Sequence, residues 1–590
     1  MVAFSLVLAV AAAALAAAAA PTEALQAYNS SATLEEPVAV LHWTLNDTSV
    51  QMALVITDPA VVTATASTLW LGIGVGEPTS GGMLGADIVT GEFATAGATT
   101  CRLVDRHVPQ VAYPLGSTAG GGEGVFPVED DCGTVPTWAL VACTIEPETG
   151  TMTLEVTRDL AAGDPAQDRD IVAGRNILLF SYGDGFGYHG PRRRSVAVDL
   201  TKTGPQATGD RGLEEDGRLP PDVVASQLLT IPNYPIPTNR TEYACMSFTA
   251  DLPTNLTTGG RRQVVAAEAV IDKTSVAGKM VHHFLIFSCP ASAGGLWEKF
   301  KDTPGTCFDE QLACNDVLWV WAAGADPLVM PSVAGFPVTE EERFYVMQVH
   351  YDNPAGIEGA VDNSSVRLFY SNTPRQYDAG TLTIGDALIH LQDQPVEGNR
   401  NYTFTCPSEC TSQMVQPSVT VFASMLHAHL TGLQLWTNLY RNGTFERTIE
   451  AAHYWSNEHQ RNTLLNDTVT LLPGDELRMS CLYDVAKVNA TDGAPPVFGL
   501  ATDEEMCMSF LFVYPRPTKA VVPPATVTPR LGYCAPVYTD EEGTVGTFCG
   551  DFSNFTAPGS VLPFDGAALP DTGGLVEVFG GAPTCSAVAA

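Results

Sequence analysis

The chain has 590 residues, 45% of them hydrophobic and 16% charged, with 30 Lys plus Arg against 66 Asp plus Glu and a net charge of −36. This composition builds packed cores and excludes a largely disordered polyampholyte, and the length predicts about four folding units rather than one. So negative a field repels phosphate backbones, which argues against a nucleic acid partner, while a small cationic substrate would not be repelled. Taken alone, the charge means solubility.

Residues 1–20 form an Ala/Val/Leu stretch that ends in small residues before Pro21, the pattern of a secretory signal peptide, although no Lys or Arg precedes Pro21. Ala-rich segments are only weakly apolar, so a cleaved leader is favoured over an anchor. No other run reaches the roughly 18 apolar residues of a membrane span. The expected location is secreted or in the lumen of a secretory vesicle. Fourteen cysteines behind a leader read as a disulfide framework rather than metal thiolates. Ten N-x-S/T sequons suit a glycosylated surface.

Short β-type runs separated by Gly/Pro/Asp clusters fill the chain. Those at 39–45, 51–56, 68–75, 152–157 and 177–182 predict a β-sandwich over 35–201. Residues 202–241 carry six prolines and read as an extended linker. Runs at 263–271, 280–287, 344–351, 366–370 and 379–384 predict a second sandwich over 242–400. Those at 419–429, 433–440, 468–472, 476–482 and 506–513 predict a third over 401–520. Residues 521–590 read as a cysteine-containing tail. The predicted class is all-β.

Of only eleven histidines, five lie in three β-type contexts: His282-His283, His350, and His427-Ala428-His429. A lone histidine on an apolar strand is more often a satisfied core residue. In a strand, however, residues i and i+2 share a face, so His427 and His429 can converge on one metal. Adjacent His282 and His283 point to opposite faces of a regular strand, so joint ligation requires a bulge or a strand end. His350 would complete a three-imidazole site. Imidazole suits zinc, copper, iron and nickel alike; only a soft ligand would favour copper(I).

Lys279-Met-Val-His-His-Phe-Leu-Ile-Phe-Ser-Cys289, Met347-Gln-Val-His-Tyr-Asp-Asn-Pro354, Phe422-Ala-Ser-Met-Leu-His-Ala-His-Leu-Thr-Gly432 and Glu504-Glu-Met-Cys-Met508 resemble, in order, the motifs of the copper type II, ascorbate-dependent monooxygenases, in particular the dopamine beta-hydroxylase branch. His453-Tyr454, Leu472-Pro-Gly-Asp475, Ser480-Cys481 and Tyr514-Pro515 fit the same order, so the likeness runs from about residue 241 to 516. It implies two separate mononuclear coppers per chain: an electron-storing one on His282, His283 and His350, and an oxygen-activating one on His427, His429 and Met506. A thioether on the second suits copper(I), the state that meets O2.

The resemblance also implies disulfides Cys245–Cys307, Cys289–Cys314, Cys406–Cys534 and Cys481–Cys507, with Cys410 paired to Cys549 or Cys585. Cys101, Cys132 and Cys143 are left unassigned. Leu41-His-Trp43, Trp70-Leu-Gly-Ile-Gly74, Gly81-Gly-Met-Leu-Gly-Ala-Asp-Ile-Val89 and His189-Gly-Pro191 resemble the DOMON sandwich that precedes such copper cores. Some DOMON domains bind haem through a Met and a His, which singles out Met83 and His189; the version fused to copper cores usually lacks it.

Met425 and Phe510 stand where the peptide-amidating branch has the Arg and Tyr that hold a peptide carboxylate, so amidation is disfavoured. The reading is a secreted or vesicular monooxygenase that uses O2 and ascorbate to hydroxylate an activated C–H bond of a small, phenethylamine-like substrate. A homodimer is compatible with it. The first rival is a non-catalytic secreted copper- or ligand-binding protein. The second, a zinc hydrolase on three histidines, lacks a His-Glu-x-x-His-type base motif.

Overall fold

The computed structural model describes most of residues 28–517 and the backbone strands Tyr533–Thr539 and Val545–Cys549; the longest stretches left out between them are 77–82, 109–127, 130–136, 186–191, 251–261, 290–297, 308–313, 386–394, 484–495 and 518–532. The architecture is nearly all β in the three regions, as expected from the recurrent short apolar runs.

The first region pairs two six-stranded sheets around one core that contains Trp43, Leu54, Leu71, Val89, Leu154 and Phe180. Strand Ala39–Leu45 alternates strictly, with Ala39, Leu41 and Trp43 turned inward, the period-2 pattern of a half-buried strand. Beside this core, Arg158 and Asp87 form an ion pair with both side chains fully buried, and Trp138 Nε1 donates to Asp87 Oδ1 at 2.8 Å. Met83 packs beside Ala86, Ile88, Val108 and Leu179. His189 lies outside the described residues. Cys101 pairs with Cys143, a bridge the sequence left open.

Strand pairing crosses three of the expected boundaries. Residues 202–241 are not a plain connector: Gly204–Gln206 pairs in parallel with Ser30–Glu35, and Val223–Thr230 forms an edge strand against Ser365–Ser371. Prolines bracket the 223–230 stretch but none interrupts it, so its backbone donors can pair. Strand Gly380–Gly385, placed by the sequence in the second region, pairs along its length with Met508–Tyr514 of the third. The boundary therefore falls before residue 380 rather than at 400. The tail is not all loop, because Tyr533–Thr539 joins the same sheet in parallel to Gly380–Gly385.

The second region is a sandwich whose five-stranded sheet runs, in spatial order, Gly305–Thr306, Thr241–Thr249, Phe344–Asp352, Val281–Cys289 and Asp316–Ala322. The third pairs a sheet containing Val419–His427 and Met508–Tyr514 with a four-stranded sheet of Asn401–Cys406, Glu476–Tyr483, Gly432–Arg441 and Thr444–Ala452. Strand Val419–His427 separates two cores. Leu426 and Ala428 face the third region's own core, while Phe422 and Met425 join Met508, Phe510 and Phe512 in the core of the second region. Each such side chain contributes roughly 1.5–3 kcal/mol by leaving water, so the two regions pack as one body. Asn462 Nδ2 donating to the Val320 carbonyl at 2.6 Å and Arg516 bound to Glu342 at 2.9 Å tie the same seam.

Cys245–Cys307, Cys289–Cys314 and Cys481–Cys507 are formed, matching the resemblance. Cys406 and Cys410 are also disulfide-bonded. The side chains of their expected partners, Cys534, Cys549 and Cys585, lie outside the described residues.

Candidate metal centre

A bulge accommodates the adjacent pair His282 and His283. In the ladder between Val281–Cys289 and Phe344–Asp352, Val281 pairs with Tyr351 and His283 with His350, so the register shifts at His282. A 3-10 turn, Val276–Met280, ends directly before this strand. Bulge and strand start together bring the two neighbouring rings to one side, as the sequence required. His282 Nδ1 lies 3.2 Å from His283 Nδ1, and His350 Nδ1 lies 3.4 Å from His283 Nδ1. Donor atoms so spaced can all reach one ion at roughly 2 Å, the length of an imidazole–metal bond. Tyr243, paired with His350 from the next strand, stacks on it with ring centroids 4.3 Å apart and a 13° interplanar angle.

His427 is the last residue of its strand, and His429 lies beyond the strand end. The expected strand pleat therefore does not position His429; a buried carboxylate does. Glu505 accepts from His429 N at 2.9 Å, Thr431 N at 2.6 Å, Thr431 Oγ1 at 2.7 Å and Met506 N at 3.3 Å. One side chain thus joins the turn carrying His429 to the segment carrying Met506. The Cys481–Cys507 bridge and Tyr483, whose hydroxyl donates to the Met506 carbonyl at 2.9 Å, fix that segment from the other side. Gly385, at φ +122°, passes so close to the Cys507 carbonyl that a Cβ would lie 2.1 Å from its oxygen. Only glycine fits there.

The His427 and His429 rings stand 5.1 Å apart and nearly perpendicular, at 87°. His427 Nδ1 lies 2.6 Å from Gln460 Oε1, and His429 Nδ1 lies 3.0 Å from the Glu504 carbonyl. Both partners accept, so both rings hold their proton on Nδ1 and offer Nε2 to a metal, the usual way a second contact fixes a ligand's tautomer.

The two groups are not far apart. The His283 and His427 ring centroids are separated by 5.8 Å at 89°. Five imidazoles therefore form one connected cluster across the seam between the second and third regions, rather than two isolated sets.

Burial holds three of these rings neutral. His283 and His350 are pushed well below the ordinary histidine range, first by desolvation and then by neighbouring imidazoles. His427 falls to about 4 through desolvation, opposed by its hydrogen bond to Gln460. Glu505 rises to about 7 by burial, opposed by the donors it accepts from. Neutral imidazole is the form a metal needs.

The stability consequence has a definite sign. From pH 6.5 down to about 4 the unfolded chain takes up protons at three imidazoles that the folded protein refuses, so stability falls on acidification. Glu505 acts oppositely, because the folded protein keeps its proton up to about pH 7, but it is one group against three. Each group can contribute up to about 1.4 kcal/mol per pH unit. Urea midpoints of the metal-free protein between pH 6.5 and 4.5 are expected to fall, and less steeply in His427→Gln; equal slopes in the two proteins would refute the assignment.

Asn457, Gln460, Glu505 and Tyr243 were not foreseen as parts of the site. Glu505 stood inside the quoted Glu-Glu-Met-Cys run without a role, and amides in a polar loop carry no sequence signal of burial. His453 and Tyr454 lie outside the described residues. A second acidic group, Asp87, Asp105 and Asp168, lies close enough to hold an ion, but Arg158 already neutralises Asp87.

Residues 228–358 match the family model for the N-terminal domain of copper type II ascorbate-dependent monooxygenases, and residues 377–529 match the model for their C-terminal domain. The chain belongs to the copper type II ascorbate-dependent monooxygenase family. The second matched segment begins at residue 377, just before the strand Gly380–Gly385 that pairs with Met508–Tyr514. DBH-like monooxygenase protein 1 of Gallus gallus is 28% identical over 384 residues, covering 62% of this chain and 58% of the relative. Dopamine beta-hydroxylase of Canis lupus familiaris is 33% identical over 268 residues, 43% of this chain and 41% of the relative. Tyramine beta-hydroxylase of Caenorhabditis briggsae is 30% identical over 247 residues, 40% of each chain. The chain spans about half the length of these relatives. No helix among the described residues is long and apolar enough to cross a membrane.

Proposed function

We propose that this protein is a copper-dependent monooxygenase that takes electrons from ascorbate and hydroxylates an activated C–H bond of a small, phenethylamine-like substrate. The observation that carries this reading is the five-imidazole cluster at the seam, with the segment carrying Met506 joined to the turn carrying His429 by the Glu505 carboxylate. His282, His283 and His350 would hold one copper through Nδ1, and His427 and His429 through Nε2 with the Met506 thioether a second. Copper so bound would supply one-electron redox chemistry toward O2 and ascorbate, with the thioether favouring copper(I) at its site.

The chain's own contribution is positioning and exclusion of water. Met425 and Phe510 face each other in register two residues from His427 and its partner Met508, and both are buried. No cation stands at these two positions to receive a peptide carboxylate. A DOMON-like first region, and a leader directing the chain to the secretory route, belong to the same reading.

The test is copper content per chain by elemental mass spectrometry, together with ascorbate-dependent product formation on a panel of arylethylamines, for the parent and Met506→Ala. Two coppers and turnover that collapses in Met506→Ala are expected. Copper binding without turnover would transfer the weight to a non-catalytic copper-binding protein.

A further inference from the structure

Two buried amide side chains connect the histidine groups. Gln460 Oε1 is 2.6 Å from His427 Nδ1, Gln460 Nε2 is 3.1 Å from both the carbonyl oxygen and Oδ1 of Asn457, and Asn457 Nδ2 is 3.0 Å from His282 Nε2. The direction of this chain is set in its middle. A backbone carbonyl can only accept, so Gln460 must turn Nε2 toward Asn457 and Oε1 toward His427. The same Nε2 holds Asn457 with Oδ1 inward, so Asn457 Nδ2 points outward and donates to His282 Nε2. A neutral imidazole carries one proton. His282 therefore bears it on Nδ1, 3.2 Å from His283 Nδ1, where it closes a hydrogen bond inside the three-histidine group. His427 presents a ligand lone pair, whereas His282 presents a protonated Nδ1 to its neighbours.

We propose that Asn457 is a positioning residue that opposes ligation by His282 and couples the two histidine groups across the seam. Ligation through His282 Nδ1 moves the ring's proton to Nε2, where it confronts the Asn457 N–H donor. Turning the Asn457 amide relieves that contact but sets its Nδ2 against Gln460 Nε2, so the disturbance reaches the contact that fixes His427. Metal affinity at the three histidines is thus held below what the rings alone would give, and occupancy of one group is felt at the other. This inference rests on the copper reading above.

The test uses the full chain in a Met506→Ala background, which weakens the second group while leaving His427 on Gln460. Copper affinity is measured by competition with a chelator series for that protein and for Asn457→Ala and Asn457→Asp added to it. Removing the donor raises affinity, and a carboxylate that accepts from His282 Nε2 raises it further, by about tenfold or more, as the outer partner of a metal-bound histidine does. The expected order is Asp above Ala above Asn. Asn457→Ala binding no tighter than its Asn457 counterpart overturns the proposal whatever Asn457→Asp does, because an added negative charge alone draws in a cation. A misfolded variant cannot mimic a gain in affinity. His283→Ala in the same background separates the two ideas: if it binds copper like its His283 counterpart, the copper reading of the three histidines fails, irrespective of Asn457.

Discussion

His283→Ala is expected to lose copper from the three-histidine group and to lower ascorbate-dependent turnover by more than about 100-fold, since even the outer partner of a metal ligand costs 10–100-fold when removed. His283 is the pivot of the cluster: its Nδ1 is within 3.4 Å of both other rings of its group, and its ring also meets His427 at 5.8 Å. Folding should survive, because the ring is buried against other imidazoles rather than within the aliphatic core, and the lost group is one that folding already holds against its protonation. The comparison is copper per chain and product formation beside the urea midpoint. Full copper and undiminished turnover in a folded His283→Ala protein would sink the site assignment.

The second large effect is expected at Glu505. Replacing it by Ala leaves four buried or half-buried donors, His429 N, Thr431 N, Thr431 Oγ1 and Met506 N, without this acceptor. An unsatisfied buried group costs about 1–3 kcal/mol, so the loss is on the order of 4 kcal/mol or more, among the largest single-residue effects. Glu505→Gln keeps one acceptor oxygen and should fall between the two. Affinity at the His427, His429 and Met506 group should drop in parallel, because Glu505 is what joins the segments that carry them. A Glu505→Ala protein within about 1 kcal/mol of the parent by urea unfolding, and with unchanged copper affinity, would show that the disulfide and Tyr483 alone suffice.

Much of the architecture was legible from local pattern. Alternation located strand Ala39–Leu45 to the residue, because burial of one face writes itself into the sequence with period two; the His282, His350 and His427 strands, buried on both faces, were legible to within two residues as short apolar runs between turn residues. The connector at 202–241 was misread because proline content was counted over the whole stretch, whereas the backbone of Val223–Thr230 lies free of proline between the clusters. The ownership of Gly380–Gly385 was illegible for a different reason: a strand's sequence states that it pairs, but its partner, Met508–Tyr514, is more than a hundred residues away.

The same division holds at the site. The sequence by itself determined which side chains have metal-binding chemistry, His282, His283, His350, His427, His429 and Met506, and that a bulge or strand end was needed for the adjacent pair, because those are properties of residue type and backbone period. Only the tertiary structure decided that the two groups abut, that Glu505 rather than strand pleat holds His429, and that Asn457 and Gln460 run between the groups. Those features arise from contacts across a seam between two regions, where hydrogen-bond direction depends on which donor meets which acceptor in space and leaves no trace in the order of the residues.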